Sequence, residues 1–395
     1  MTTQQRHILV YEPRTEGHHL GWLRFITEDL LSGGYKLTLA VDGDPKLEQR
    51  FKDHLGDYWN EVTWMDISRI VGNSKGTGQK ISTVAACLEA SGAERVFLCA
   101  LDEVASNLWR SATFGALPPK PLRGRMGGIY HRPRFMEASM TSATRWFKPR
   151  GFKRLLEEGW FGQILFVDEY LTRRLQADHP GAPVSFLCDP CPPMEDISVT
   201  TAREQLKVPE HFRVFLFYGG GYRRKGLHLA VEAMLKLSRD IPAYLLCAGH
   251  LKPEGQTARG LDQLISQNRA RLIDRYVTDA EEQLCFAASN AVLLPYIHHF
   301  GTSGVLSRAM ASGRMVIVSD EELLGRLTRE YHLGMLFPTE NAAALGECLK
   351  TAAYMDSVET DRYQESAGIY ATKYSRPSYR KALLEAMDKP VISIP

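Results

Sequence analysis

PYIHHFGTSGVLSRAMASGRMVIVSD, residues 295–320, decides how the chain is read. Ala291 to Pro295 (AVLLP), which leads into it, is an apolar run long enough for one buried strand. Tyr296 to Gly304 is a loop that ends in Gly301-Thr302-Ser303-Gly304. From Val305 to Ala311 the apolar residues recur with helical spacing, and Val305, Leu306, Ala309 and Met310 form the inward face. Gly313 ends that helix, and Met315 to Val318 (MVIV) is a second buried strand. The unit is strand, loop, helix, strand, with small residues at the helix N-terminus. Backbone N–H groups and the positive end of the helix dipole converge there, which suits a phosphate. The same kind of loop serves many α/β proteins as a plain turn.

Upstream, Arg213 to Tyr218 (RVFLFY) reads as a strand and Leu227 to Ser238 as a helix, with GGGYRRKG, residues 219–226, between them. The glycines allow close backbone approach, and Arg223, Arg224 and Lys225 concentrate positive charge. The loop is not a Walker A motif, because GxxxxGK followed by Ser or Thr is absent. Nor is it GxGxxG with an acidic ribose contact. A solvated basic turn is the plain alternative. Two such loops at the carboxyl ends of strands in one half point to a diphosphate held between them. The half continues with a strand at Ala243 to Ala248, helices at Leu261 to Ile273 and Asp279 to Ala288, Leu336-Phe337-Pro338, and a helix from Asn341 to Ala353. Two helical segments fill Asp361 to Met387, interrupted at Ser375-Arg376-Pro377.

The first half alternates in the same way. His7 to Tyr11 (HILVY) is a strand and Glu12 to Gly21 a polar loop that holds Gly17, His18 and His19. Trp22 to Leu31 is a helix, stopped by Gly33-Gly34, and Lys36 to Val41 the next strand. This opening belongs to a doubly wound fold, whose ligand crevice lies at the carboxyl ends of the strands. Helices at Gln79 to Ser91, Asp102 to Ser111, Phe152 to Glu158 and Glu169 to Ala177 alternate with strands at Arg95 to Ala100, Arg125 to Tyr130, Gln163 to Val167 and Val184 to Leu187. His131 stands at the carboxyl end of the Arg125 to Tyr130 strand. Asp189 to Thr201, with DPCPP at its start, reads as a linker. The halves share an architecture, not a sequence repeat.

A length of 395 residues implies two domains. With 44% apolar and 24% charged residues the composition is that of a soluble globular protein, and a net charge of +2 gives no global reason to expect nucleic acid. No apolar run approaches the length of a membrane span, and MTTQQRHILVYEP has no secretory core, so a cytoplasmic location is expected. Seven scattered cysteines argue against a complete disulfide framework, and the lone CxxC, Cys188 to Cys191, has no second pair at zinc spacing.

Residues 210–350 resemble the nucleotide-sugar domain of GT-B glycosyltransferases, most like the retaining family 4 (group 1). That family carries an Arg and a Lys-Gly after the first strand of this domain, matched here by Arg223 or Arg224 and by Lys225-Gly226. Its Ala-Met-Ala-x-Gly-x-Pro-Val-Ile run is matched by Ala309 to Ile317, with Met315 in place of Pro. The first half matches in layout and in the position of His131. The resemblance implies two Rossmann-like doubly wound α/β domains facing a central cleft. They would be an acceptor domain (1–192) and a nucleotide-sugar domain (193–371), followed by a C-terminal helical segment (372–395) that returns to the first domain through Leu383, Leu384 and Met387. It implies a hexosyltransferase-class enzyme that moves a sugar from a nucleotide diphosphate donor to a hydroxyl acceptor, with retention and without metal or other cofactor. The implied catalytic set is His131, Arg224 and Lys225. Gly220, Gly221, Arg223, Arg224, Lys225, His299, Gly301, Thr302, Ser303, Gly304 and Arg308 are the implied donor contacts, and Gly17, His18 and His19 lie on the acceptor side. One departure is clear: the family's Glu-x7-Glu falls on Phe300 and Arg308, with His298 or His299 beside the first position. Arg308 cannot accept hydrogen bonds from ribose hydroxyls but suits a phosphate or a carboxylate. It lies one turn into its helix, so its side chain points back toward the N-terminus. The rival readings are a nucleotide-sugar epimerase or an inverting transferase with His18 or His19 as base, and a non-catalytic binding protein.

Between Lys120 and Arg154 stand ten Lys or Arg against one acidic residue, Glu137, with Trp146, Phe147, Phe152, Leu155 and Leu156 interleaved. This pattern suits peripheral attachment to an anionic inner membrane surface, at about 1 kcal/mol per basic residue near it, and an acceptor that is lipid-linked or otherwise anionic. Core aromatics flanked by solvated charges are the plain alternative.

Overall fold

The computed structural model describes residues 5–14, 19–42, 51–53, 55–71, 80–136 and 144–389. The chain divides into two compact units, Met1–Cys188 with Tyr379–Pro395, and Asp189–Ser378. The division falls a few residues from the boundaries at 192 and 371 read from the sequence.

The first unit is built on a seven-stranded parallel sheet. Its strands are β1 (His7–Glu12), β2 (Lys36–Val41), β3 (Thr63–Asp66), β4 (Arg95–Leu98), β5 (Met126–Tyr130), β6 (Phe161–Phe166) and β7 (Val184–Phe186), ordered β3-β2-β1-β4-β5-β6-β7. Leu9 of β1 registers with Thr38 of β2 on one side and Val96 of β4 on the other. Central strands read as unbroken apolar runs because helices cover both faces. Those helices are α1 (His19–Ser32), α2 (Ile67–Val71), α3 (Ile81–Ser91), α4 (Asp102–Thr113), α5 (Thr144–Glu157) and α6 (Glu169–Asp178). One face closes on Trp109 of α4, whose indole packs edge-on against Phe152 and Phe161 and donates to the Tyr130 hydroxyl at 3.0 Å. Strand order reverses between β1 and β4, so a crevice opens at the carboxyl ends of those strands.

The second unit begins with α7 (Val199–Gln205) and carries β8 (Arg213–Tyr218), α8 (Leu227–Lys236), β9 (Ala243–Gly249), α9 (Gly255–Ser266), β10 (Ala270–Asp274), α10 (Asp279–Ala288), β11 (Ala291–Leu294), α11 (Gly304–Ala311), β12 (Met315–Ser319), α12 (Glu322–Glu330), β13 (Gly334–Phe337), α13 (Ala342–Ala353) and α14 (Ser357–Lys373). Its six parallel strands run β10-β9-β8-β11-β12-β13, with the order reversing between β8 and β11. The 219–226 and 296–303 loops leave the sheet at that point.

The last helix, α15 (Arg376–Asp388), lays Tyr379, Leu383 and Met387 into the first unit. Tyr379 meets Trp22 of α1 edge-on at 5.6 Å, Arg95 donates to the Met387 carbonyl at 3.0 Å, and the Tyr35 hydroxyl donates to Asp388 at 2.6 Å.

Three readings of the sequence are corrected. Leu261 to Ile273 is not one helix. Asn268 adopts a left-handed φ of 53°, which Asn tolerates better than most residues, so α9 stops at Ser266 and the chain turns into β10. β3, an edge strand buried on no face, and α12 went unread. The 189–201 linker gives way to α7 at Val199, where the Ser198 side chain accepts from the Thr201 amide as N-cap.

Candidate functional site

The basic loop and the GTSG loop are locked to each other. Gly226 has φ 78°, and a Cβ there would lie 1.9 Å from the Pro295 carbonyl, so only glycine permits the contact. The Ile297 amide donates to the Arg224 carbonyl at 2.8 Å. Arg223, Arg224 and Lys225 form a single 3-10 turn. Its Arg224 guanidinium reaches His299 Nδ1 at 3.2 Å, and His299 Nε2 is 3.0 Å from the Thr302 carbonyl. A carbonyl only accepts and a guanidinium only donates, so His299 is held as the neutral tautomer with its proton on Nε2. The Lys225 ammonium lies 3.7 Å from the centre of the Tyr296 ring. Burial pushes the Tyr296 phenol up to about 12, so it stays neutral, and its oxygen is 3.3 Å from the Ser303 hydroxyl.

Ser303 caps α11, its side chain accepting from the Val305 amide at 3.3 Å. Asp189 holds this turn from below, taking a hydrogen bond from the Thr302 hydroxyl on its carboxylate and one from Ser307 on its carbonyl, both at 3.2 Å. Local sequence therefore builds the loop, and a residue more than a hundred positions away fixes it.

Arg308 folds back along α11, as its place one turn in requires. Its Nη1 donates to the Gly304 carbonyl at 3.0 Å, and its Nε donates to Glu282 Oε1 of α10 at 2.7 Å. The other Glu282 oxygen accepts from the Tyr218 hydroxyl at the end of β8. Burial works against the Arg308 charge, but the Glu282 carboxylate more than offsets it and lifts the pKa above that of an ordinary arginine. Burial, followed by the Glu282 charge, pushes the Tyr218 phenol well up, so it donates. An arginine thus stands where the resemblance calls for a glutamate, and a carboxylate from the neighbouring helix stands against it.

The sequence reading missed a second feature of this sheet end. His250 follows β9, Tyr276 follows β10, and their rings stack at 5.0 Å and 18° with Tyr276 79% exposed. The signal was the carboxyl end of β10, hidden by reading that segment as helix.

In the first unit, the His131 amide donates to Asp102 at 2.8 Å, its Nε2 faces the Cys99 carbonyl at 3.0 Å, and its ring packs edge-on against Trp22 at 4.9 Å. His19 opens α1 with Nδ1 3.1 Å from Glu12 Oε2. Glu12 is buried, and its other oxygen accepts from the Arg14 amide. Gly17 and His18 lie outside the described residues. All seven cysteines are buried.

Residues 212–353, all within the second unit, match the family described as "Glycosyl transferases group 1". No curated sequence matches the chain. Among solved structures it is similar to a glycosyltransferase from Rickettsia africae, at 14% identity and a TM-score of 0.68, covering 98% of this chain and all of that one. WaaG, a glycosyltransferase involved in lipopolysaccharide biosynthesis, aligns at 14% identity and 0.66 over 97% of this chain and all of its own. Anabaena Alr3699/HepE, solved in complex with UDP, aligns at 13% and 0.68 over 98% of this chain and all of its own. At these identities the likeness establishes the fold, which is GT-B.

Proposed function

We propose, from the premise that residues 212–353 form a group 1 glycosyltransferase domain, that the protein transfers a sugar from a nucleoside diphosphate to a hydroxyl acceptor, with retention and without a resident metal. One observation carries the reading. Two loops from the switch point of a parallel sheet are tied together through Gly226, Arg224 and His299, and they bring the Arg224 and Lys225 side chains against the loop that caps α11, with Arg223 in the same turn. Cations and amides placed there favour the diphosphate more as the glycosidic bond breaks and negative charge grows on it, which is binding that lowers the barrier. The exposed Tyr276 on His250 offers a face for the nucleobase. HepE has been solved with UDP and with UDP-glucose, which makes uridine donors the first to test. In a thermal-shift series with UDP-, GDP-, ADP- and dTDP-sugars, one nucleoside class raises the melting temperature; no shift with any of them sinks the proposal. Donor altered without acceptor would identify an epimerase instead.

A second reading rests on the Glu12–His19 pair. A carboxylate only accepts, so Nδ1 donates to Glu12, and Nε2 is the nitrogen that would take a proton from an acceptor in direct inversion. NMR of the product anomer decides between the two.

We also propose a membrane-facing patch on the first unit, with its exposed residues as the members. Phe152, Leu155 and Leu156 are core, whereas Trp146 and Phe114 are exposed. Thr113 donates to the Phe147 carbonyl, which sets the end of α4 beside the start of α5. The Arg150 guanidinium lies 4.5 Å over the Trp146 ring. Lys153 and Arg154 are paired with Glu157 and Glu158. Sedimentation with anionic vesicles, absent with neutral ones, lost at high salt and weakened by Trp146→Ala, is the expected result. No sedimentation at low salt removes the membrane from the account. Among the described residues no helix is long and apolar enough to cross a membrane.

A further inference from the structure

Ser319 ends β12, and Glu321 follows just before α12. Ser319 is 3% exposed, and its hydroxyl has no hydrogen-bond partner. Glu321 Oε2 is also buried without a hydrogen-bond partner, although the side chain as a whole is 37% exposed. His298 Nδ1 stands 3.4 Å from that oxygen without hydrogen-bond geometry. Ser319 and Glu321 line one small cavity with Leu294, Tyr296, His299, Val318 and Leu324. Tyr296 is the ring beneath the Lys225 ammonium, and His299 is the partner of Arg224, so the cavity shares a wall with the diphosphate loops.

Buried polar atoms are almost always hydrogen-bonded, and two that are not, on residues lining one space, ask for an occupant. Its chemistry follows from the walls. A carboxylate oxygen accepts and repels anions, which excludes a phosphate. A serine hydroxyl both donates and accepts, and the remaining wall is aliphatic and aromatic. A neutral hydroxyl fits, donating to Glu321 and accepting from Ser319. We propose that Ser319 and Glu321 form a hydroxyl-reading subsite that takes one hydroxyl of the transferred sugar and selects donors that carry it unsubstituted. This rests on the donor reading above.

The test compares Ser319→Ala and Glu321→Gln with the wild type, titrating each with the nucleoside diphosphate alone and with the nucleotide sugar that gives the largest thermal shift. The expected result is unchanged affinity for the diphosphate and a loss of affinity for the sugar form, roughly tenfold to hundredfold for Glu321→Gln, the range for a hydrogen bond to a charged group, and roughly twofold to tenfold for Ser319→Ala, the range for a neutral one. Among monodeoxy donors, one is rejected by the wild type and accepted by Glu321→Gln almost as well as its parent. Equal binding of the nucleotide sugar by variants and wild type overturns the subsite alone and leaves the donor reading standing. Equal loss of both ligands also overturns it, because the residues would then support the loops and not the sugar. A wild type that binds no nucleoside diphosphate overturns both.

Discussion

Lys225→Ala is expected to weaken nucleoside diphosphate binding by about 1.5–3 kcal/mol, roughly tenfold to 150-fold, the worth of a hydrogen bond to a charged group. Lys225 follows the two arginines in the turn that Gly226 pins against Pro295, and its ammonium rests on Tyr296. The substitution also removes that cation–π contact, worth about 0.5–2 kcal/mol. Lys225→Met therefore serves as the control, because it keeps the stem on the ring and removes only the charge. Both variants should lose affinity in calorimetry, and kcat/KM should fall by more than affinity because the charge they met grows in the transition state. Unchanged affinity in both would reduce the turn to a solvated basic surface.

Arg308→Glu acts first on stability. It sets a second carboxylate against Glu282, whose side chain is 16% exposed and whose cation has gone. Removing one partner of a fully buried pair costs about 3–5 kcal/mol. The Arg308 side chain is 34% exposed, so screening brings the expected loss to about 1–3 kcal/mol. At roughly 2–4 °C per kcal/mol for a unit of this size, the melting temperature falls by about 2–12 °C. The sign with pH is defined. Two facing carboxylates raise the pKa of one of them above its unfolded value, so the variant's deficit narrows as pH drops through that raised pKa and widens above it. Exchanging the charges, with Glu282→Arg added to Arg308→Glu, should restore most of the melting temperature. If the exchanged protein is stable but binds a different nucleoside, or none, Arg308 also addresses the donor. A single variant that melts like the wild type would mean the pair carries no load in solution.

The residues that announce the fold do so through short-range signals. Apolar runs such as Ala291 to Leu294 and Met315 to Val318, each followed by a helical period and a glycine stop, need no distant partner to be read. The segments that escaped lack such a signal. β3 (TWMD) is an edge strand whose half-exposed residues show no alternation, and β10 was masked because ARLID continues the apolar spacing of α9 across the turn at Asn268. Phe152, Leu155 and Leu156 were legible as apolar, with core and membrane face as competing readings, and burial that depends on the helix packed opposite decided for core.

The sequence alone determined the alternating α/β architecture and the two small-residue loops, since backbone freedom at glycine, strand burial and helix periodicity are properties of neighbouring residues. It also exposed the loss of both glutamates at Phe300 and Arg308. Tertiary structure alone decided what surrounds those positions. Glu282 meets Arg308 from a different helix, Asp189 braces Thr302 from the start of the unit, and Ser319 and Glu321 face a cavity walled by the preceding strand's loop. Each pairing joins groups from separate elements. An ion pair or an orphaned hydroxyl leaves no periodic trace, and its partner becomes definite only when the sheet brings the strand ends together.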